Sequence, residues 1–222
     1  MKSMVGVLLM SRPFDIAYNA IKDNILQGVY LPSQKLIETE LSDAICVSRN
    51  TIKKALLTLE KENLVTLEKN KGAIVKAFNI QEVINYMEIR ECLEGIIAST
   101  AAVNITDQQL LEMEDMLDEM NDLLARREYK AYSACNRKFH GIIYSASSNP
   151  QASEMVQTIR MQLQRLSGKT LALSDRPDNS YEEHYNILQA LKARDKELSK
   201  KLARNHVAQV KDIIVDNYSL FI

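Results

Sequence analysis

Hydrophobic residues recur at helical spacing along most of the chain, and one change of period divides it. From Pro13 onward, Ile16, Ala20, Ile21 and Ile25 share a face, and the pattern stops at Gly28. A short extended run, VYLPSQKL, follows, and then a helix over Glu38–Ile45 with Leu41 and Ile45 inward. VSRNTIKKALLTLEKENLV predicts a third helix: Ser48 is a good N-cap, and Ile52, Ala55, Leu56 and Leu59 form its apolar stripe. The period then becomes strand-like in LVTLE and AIVKA, on either side of the turn residues KNKG. Three helices and a hairpin predict a winged helix-turn-helix over residues 1–76.

After Val75 the helical period returns almost without a linker. Asn79 with Glu82, and Thr106 with Gln109, have capping-box spacing. They open a helix through NYMEIRECLEGIIASTAA and another buried along Met113, Met116, Leu117, Met120, Leu123 and Leu124. These methionines are core packing. Further helices are expected from about Lys130 to Ser147, where Asn149-Pro150 intervenes, and from about Gln151 to Leu171. SDRPDNS reads as a loop, Ser180 and Glu183 as a third capping box for a helix ending near Ala193, and Asp195 to Tyr218 as the last helix. The expected class is mostly α: an N-terminal winged helix-turn-helix followed by an antiparallel bundle of six or seven helices over residues 79–222.

Composition narrows the setting. Six Gly and four Pro in 222 residues leave too few turns for an all-β design. Cys46, Cys92 and Cys135 lack CxxC spacing, which excludes a disulfide framework and a thiolate zinc site and suits a reducing cytoplasm. The opening MKSMVGVLLM has an apolar run shorter than a signal-peptide core and reads as a frayed or alternative start. No later run approaches the ~20 apolar residues of a membrane span, so a cytoplasmic protein with no membrane partner is expected.

Charge points to a polyanion. Through Lys76 the chain carries 11 Lys and Arg against 8 Asp and Glu, although the whole has a net charge of −1. The first turn of the third helix holds Ser48, Arg49, Asn50 and Thr51, followed by Lys53 and Lys54. A recognition helix touches base edges with its N-terminal residues, where helix-end amides and hydroxyls also favour phosphate. Arg49 could fork onto a guanine, and Lys53 could reach base or phosphate. Lys69, Lys71 and Gly72 fall at the wing tip, where a small residue lets backbone approach a groove. Any one of these lysines alone reads as solvated surface; their order along the chain argues for double-stranded DNA.

The three histidines all fall on inward stripes, each from a different helix. His140 lies with Ile143 and Tyr144, His184 with Ile187, Leu188 and Leu191, and His206 between Leu202 and Val210. Asn136 sits one turn before His140 on the same face. Buried neutral imidazoles need partners for both ring nitrogens. A divalent metal would satisfy three of those nitrogens at once, with the Asn136 amide oxygen as a fourth ligand. Spacing alone weighs this evenly against three separately satisfied core histidines.

Two stretches carry a family resemblance. IKDNILQGVYLPSQKLIETELSDAICVSRNTIKKALLTLEKENLVTLEKNKGAIV resembles the DNA-binding domain of GntR-type bacterial transcription regulators. The resemblance implies a base-reading role for Arg49, phosphate contacts for Ser48 and Thr51, and a wing glycine at Gly72. Lys53-Lys54 stands where that family usually has Arg-Glu; a lysine is a point charge, so base specificity there should be looser. R..LE at Arg90 to Glu94, N..FH at Asn136 to His140, EH..IL.AL at Glu183 to Leu191 and His206 resemble the FadR-type C-terminal ligand-binding (FCD) domain. This second resemblance implies a divalent metal, zinc or nickel, held by Asn136, His140, His184 and His206, with a small carboxylate effector completing the coordination. Asn136 departs from the usual Asp. Arg90, on the same interior, is expected to meet a second effector oxygen.

The expected function is a homodimeric transcription regulator on a near-palindromic operator, its affinity modulated by a small organic acid at the metal, with repression the commoner outcome. Two alternatives remain: a regulator for which the metal ion is itself the signal, and a zinc-dependent hydrolase. For the hydrolase, no HExxH supplies a general base, and Glu182 and Glu183 read as cap residues, so no enzyme is expected.

Overall fold

The structure is a computed structural model that describes residues 12–69, 72–164, 166 and 176–220 of the chain. It divides into two compact units, with the boundary between Ala77 and Phe78.

In the first unit Pro13 supplies a preset φ at the start of α1 (Pro13–Leu26). The buried stripe of α1 is Ala17, Ile21 and Ile25, each four residues apart; Ile16 lies one position round the helix and is 44% exposed. Gly28 takes a left-handed φ of 77° just past the helix end, where a side chain would be strained. β1 (Lys35–Leu36) lies within the run expected to be merely extended, and it pairs antiparallel with β3 (Gly72–Val75). β2 (Val65–Glu68) pairs with the other edge of β3, so the wing is a three-stranded sheet in the order β1-β3-β2. Gly72, at φ 94°, faces the Leu36 carbonyl so closely that a Cβ there would overlap it. The packing of the sheet therefore accounts for this glycine without any approach to a groove.

α2 (Glu38–Ile45) ends on Cys46 in a left-handed conformation, and α3 (Arg49–Lys61) begins at Ser48, whose Oγ accepts from the Thr51 amide at 3.2 Å. Ile52, Ala55, Leu56 and Leu59 of α3 are buried with Leu64, Val65, Ala73 and Val75. Tyr18 Oη and Lys22 Nζ both donate to Glu62 and tie α1 to the far end of α3.

The second unit contains six α-helices among the described residues. α4 (Ile80–Asn104) and α5 (Asp107–Ala125) both open with complete capping boxes, Asn79/Glu82 and Thr106/Gln109. α6 (Tyr129–Ala146) stops before Asn149, which caps α7 (Pro150–Gln162) by accepting from the Ala152 amide at 3.0 Å. The continuation expected to Leu171 lies mostly outside the described residues. α8 (Arg176–Lys192) begins earlier than the sequence suggests, so Ser180 is an interior helical residue and not a cap. Asp195 caps α9 (Lys196–Asp216), and a 3₁₀ turn (Tyr218–Leu220) follows. One core joins Ile97, Met113, Met120, Tyr132, Phe139, Leu188 and Leu191; a second joins Val83, Met87, Ile159, Val207 and Ile214. The chain is thus a winged helix-turn-helix followed by a helical bundle. No helix among the described residues is long and apolar enough to cross a membrane.

Candidate functional site

The cap at Ser48 fixes how α3 presents its first turn. Ser48, Arg49, Lys53 and Lys54 are exposed and Thr51 is half-buried, its Oγ1 2.8 Å from Ser48 Oγ. Arg49 Nη2 lies 3.9 Å from Glu38 Oε2 while its side chain stays 65% exposed. A pair that loose and solvated contributes little, and the guanidinium remains available to a ligand. Lys71 lies outside the described residues.

In the second unit α6 supplies Asn136 and His140, α8 supplies His184, and α9 supplies His206. All three rings are buried, and one nitrogen from each lies within 4.8 Å of the others. The ring nitrogens facing away from this centre reveal the tautomers. His184 Nδ1 is 2.5 Å from the Ser180 carbonyl oxygen, which only accepts, so Nδ1 carries the proton and Nε2 of the neutral ring holds a lone pair. That Nε2 faces Asn136 Oδ1 at 3.1 Å and His140 Nε2 at 3.2 Å. His206 Nδ1 lies 2.5 Å from Glu183 Oε2 and donates to it, which leaves Nε2 as the remaining ring nitrogen. His140 Nδ1 is buried without a hydrogen-bond partner among the described residues, and its nearest acid is Glu94, 4.0 Å away. Burial, then the positive Arg160 and the neighbouring imidazoles, hold His140 well below the ordinary imidazole range, so the ring is neutral. Placing its proton on Nδ1, toward Glu94, turns a second lone pair onto the shared centre.

Beside the histidines lies a charged cluster. Arg90 Nε donates to Glu94 Oε1 at 3.1 Å, one turn along α4. Tyr144 Oη donates to the same oxygen at 2.7 Å and accepts from Arg160 Nη1 at 2.9 Å. Burial would raise the Glu94 pKa, but Arg90, Arg160 and the Tyr144 hydroxyl outweigh it and hold the carboxyl below its usual value. Burial pushes the Tyr144 phenol up, so it stays a donor. Two guanidiniums thus share one carboxylate in a largely dry interior.

The structure therefore brings Asn136, His140, His184 and His206 together and ties Arg90 to Glu94 beside them. Sequence reasoning assigned no role to Tyr144, Arg160 or Glu94, and it gave Glu183 to a cap. The local signals were the Arg90–Glu94 spacing of four and the position of Tyr144 one turn after His140. Glu183, 23 residues from His206, and Arg160 carried no local signal.

A basic-faced winged helix-turn-helix followed by an all-helical unit with a buried donor cluster is the architecture of a transcription regulator. The match to known families agrees: bacterial regulatory proteins, gntR family, over residues 15–75, and the FCD domain over residues 85–209. The chain belongs to the GntR family of bacterial transcription regulators, in the FadR-like branch that carries an FCD domain.

Its curated relatives include the HTH-type transcriptional repressor RspR of Escherichia coli K12, 21% identical over 89% of this chain and 86% of that one. The HTH-type transcriptional regulator LutR of Bacillus subtilis is 25% identical over 86% of this chain and 95% of that one. Among solved structures, E. coli McbR/YncC superposes with a TM-score of 0.79 at 23% identity, covering 94% of this chain and 100% of the other. A GntR regulator from Rhodococcus sp. RHA1 reaches a TM-score of 0.72 at 20% identity, with the same coverage. These structural likenesses support the fold. The matched families and relatives regulate transcription, and this chain is a regulator and not an enzyme.

Proposed function

We propose that the chain is a cytoplasmic, homodimeric operator-binding protein, a repressor like its relative RspR is described to be, whose second unit holds one divalent metal and a small organic acid. Arg49 and Lys53 would read or track a near-palindromic double-stranded operator, with Ser48 and Thr51 on phosphate and Lys71 and Gly72 at the wing. Asn136, His140, His184 and His206 would ligate the metal. The observation that carries this is the convergence of three buried imidazoles whose ring nitrogens lie within 4.8 Å of one another. The Ser180 carbonyl and Glu183 occupy the outer nitrogens of His184 and His206, and His184 Nε2 faces Asn136 Oδ1 and His140 Nε2. Lone pairs facing one another at about 3 Å repel unless a cation or proton lies between them. Imidazole ligands with one amide oxygen suit zinc or nickel. The bound ion would supply a positive charge and open coordination positions for an anion.

The acid is supported by the charge of the site: the candidate ligands are all neutral, and Arg160 adds a cation beyond the Arg90–Glu94 pair. A tight-binding acid changes operator affinity only by favouring one arrangement of the protein over another. Metal analysis of the purified protein, before and after reconstitution with zinc, nickel and manganese, tests the site; one tightly held ion per chain is expected, and none in any sample refutes it. Operator binding by metal-loaded protein, with and without added acids, then separates an acid-responsive regulator from one in which the ion alone is the signal.

A further inference from the structure

The outward face of α3 has a midline, and Asn50 begins it. Ile52, Ala55, Leu56 and Leu59 are the buried stripe of this helix. At 3.6 residues per turn, the line opposite that stripe runs through Asn50, Lys54, Leu57 and Lys61, all exposed. Arg49 and Thr51 stand at the two borders of the stripe. Arg49 leans to Glu38 of α2, 3.9 Å away, and Thr51 is half-buried with its Oγ1 on Ser48 Oγ. In the first turn it is Asn50 that points directly away from the core, and its carboxamide forms no hydrogen bond with the described residues. Nor does the helix need it. Ser48 already caps the Thr51 amide, and asparagine is a poor helix former once past the cap.

Chemistry sets Asn50 apart from its neighbours. Arg49, Lys53 and Lys54 carry N–H donors and no acceptor, so against base edges they pair only with acceptors such as N7 and O6 of guanine. A carboxamide carries both a donor and an acceptor. In the major groove adenine shows its N6 donor beside its N7 acceptor, a pattern that an Asn side chain matches with two hydrogen bonds. We infer that Asn50 reads an adenine in the major groove of each operator half-site, its Oδ1 accepting from N6 and its Nδ2 donating to N7. The inference rests on the operator-binding reading above and deepens it by naming the residue that fixes an A·T pair. A recognition helix meets base edges with its N-terminal residues, and Asn50 is the second residue of α3. Lys53 and Lys54, nearly a turn further on, attract the phosphates but cannot accept the adenine N6 proton. Adenine discrimination on this turn therefore falls to Asn50.

Selection of sites from a randomised pool of double-stranded DNA by the full chain, followed by fluorescence-anisotropy titration, tests this. Each selected half-site should hold a fixed adenine. Asn50→Ala, at an exposed position, should keep its circular dichroism and lose roughly 5–150-fold in affinity for the selected site. It should also accept other bases where the wild type demands adenine. Replacing the adenines one at a time by 7-deazaadenine, which lacks the N7 acceptor, should find one position that weakens the wild type and leaves Asn50→Ala unchanged. Asn50→Asp, which accepts but cannot donate, should move the preference there toward cytosine. A purely structural role for Asn50 would produce none of these base-dependent effects. If Asn50→Ala selects the same sites and responds to every 7-deazaadenine as the wild type does, the inference is overturned and operator binding stands. An equal loss on every duplex assigns Asn50 to phosphate and overturns it too. A wild type that selects no sequence from the pool overturns the operator-binding reading itself.

Discussion

Replacing Glu183 by Gln should weaken metal binding without touching a ligand atom. Glu183 Oε2 accepts from His206 Nδ1 at 2.5 Å, which fixes the ring, its tautomer and its basicity. An amide oxygen still accepts that proton, so the apo fold should change little, but the negative charge behind the ring is lost. Outer partners of this kind are worth about 10–100-fold in metal affinity, or about 1.4–2.7 kcal/mol. At saturating metal the same amount is lost from the metal's contribution to stability. With about 2–4 °C per kcal/mol for a chain of this size, Tm of the metal-loaded protein should fall by roughly 3–10 °C. The assay is thermal denaturation of wild type and variant, each apo and zinc-loaded, beside a competition titration against a chromophoric chelator. An unchanged Kd for zinc, or an equal fall in Tm with and without the ion, would refute the second-layer role of Glu183.

Arg49→Ala should cost roughly 1–3 kcal/mol on the specific operator and relax selectivity there; unchanged affinity and selectivity in a fluorescence-anisotropy titration would remove α3 as the reading helix. Asn136→Asp should tighten the metal and weaken the acid, because an anionic oxygen replaces a neutral one; weaker metal retention on dialysis would show that Asn136 is not a ligand. Cys135 lies among Met116, Glu119 and the core, and burial, then Glu119, raise its thiol pKa to about 11. Native protein at pH 8.5 should therefore be alkylated at the exposed Cys46 but not at Cys135, as read by peptide mass spectrometry. Because the folded pKa is raised, the stability this thiol contributes is complete below its ordinary value of about 9 and is lost as pH rises through about 11.

What the sequence made legible was local. Helix starts at Ser48, Asn79 and Thr106 depend on a side chain reaching an amide three residues on, and those caps are all present. The inward position of the three histidines depends on helical period, which is also local. Contacts across the chain were not legible. The two-residue strand β1 has too little alternation to signal itself and exists through its pairing with β3. Ser180 had the spacing of a cap, but it sits inside α8 beneath Tyr132 Oη, 48 residues away, with its carbonyl spent on His184. Ile16 and Ala17 are both apolar, and only the packing of α1 on its neighbours selects Ala17. Arg160 sits on α7, and its meeting with Tyr144 of α6 depends on how those helices pack.

The charges brought together in the second unit also limit what ligand the site would favour. Arg90 and Glu94, 3.1 Å apart, offset one another. Glu183, behind His206, offsets one of a divalent ion's two charges, and the candidate ligands Asn136, His140, His184 and His206 offset none. One charge on the ion and one on Arg160 are left over, and Arg160 Nη1 is already oriented at the inner edge of the site by Tyr144 Oη. Buried charge is costly until paired, and two positive centres held apart by a fixed scaffold call for two negative groups on one short frame. A dicarboxylate should therefore stabilise the zinc-loaded protein more than a monocarboxylate of equal carbon number, and a neutral diamide should do neither. Arg160→Gln should erase the advantage of the dicarboxylate while leaving metal retention intact. Thermal shifts across a matched series of acids, read on both proteins, decide it: equal responses to mono- and dicarboxylates in the wild type would mean that Arg160 does not serve the ligand.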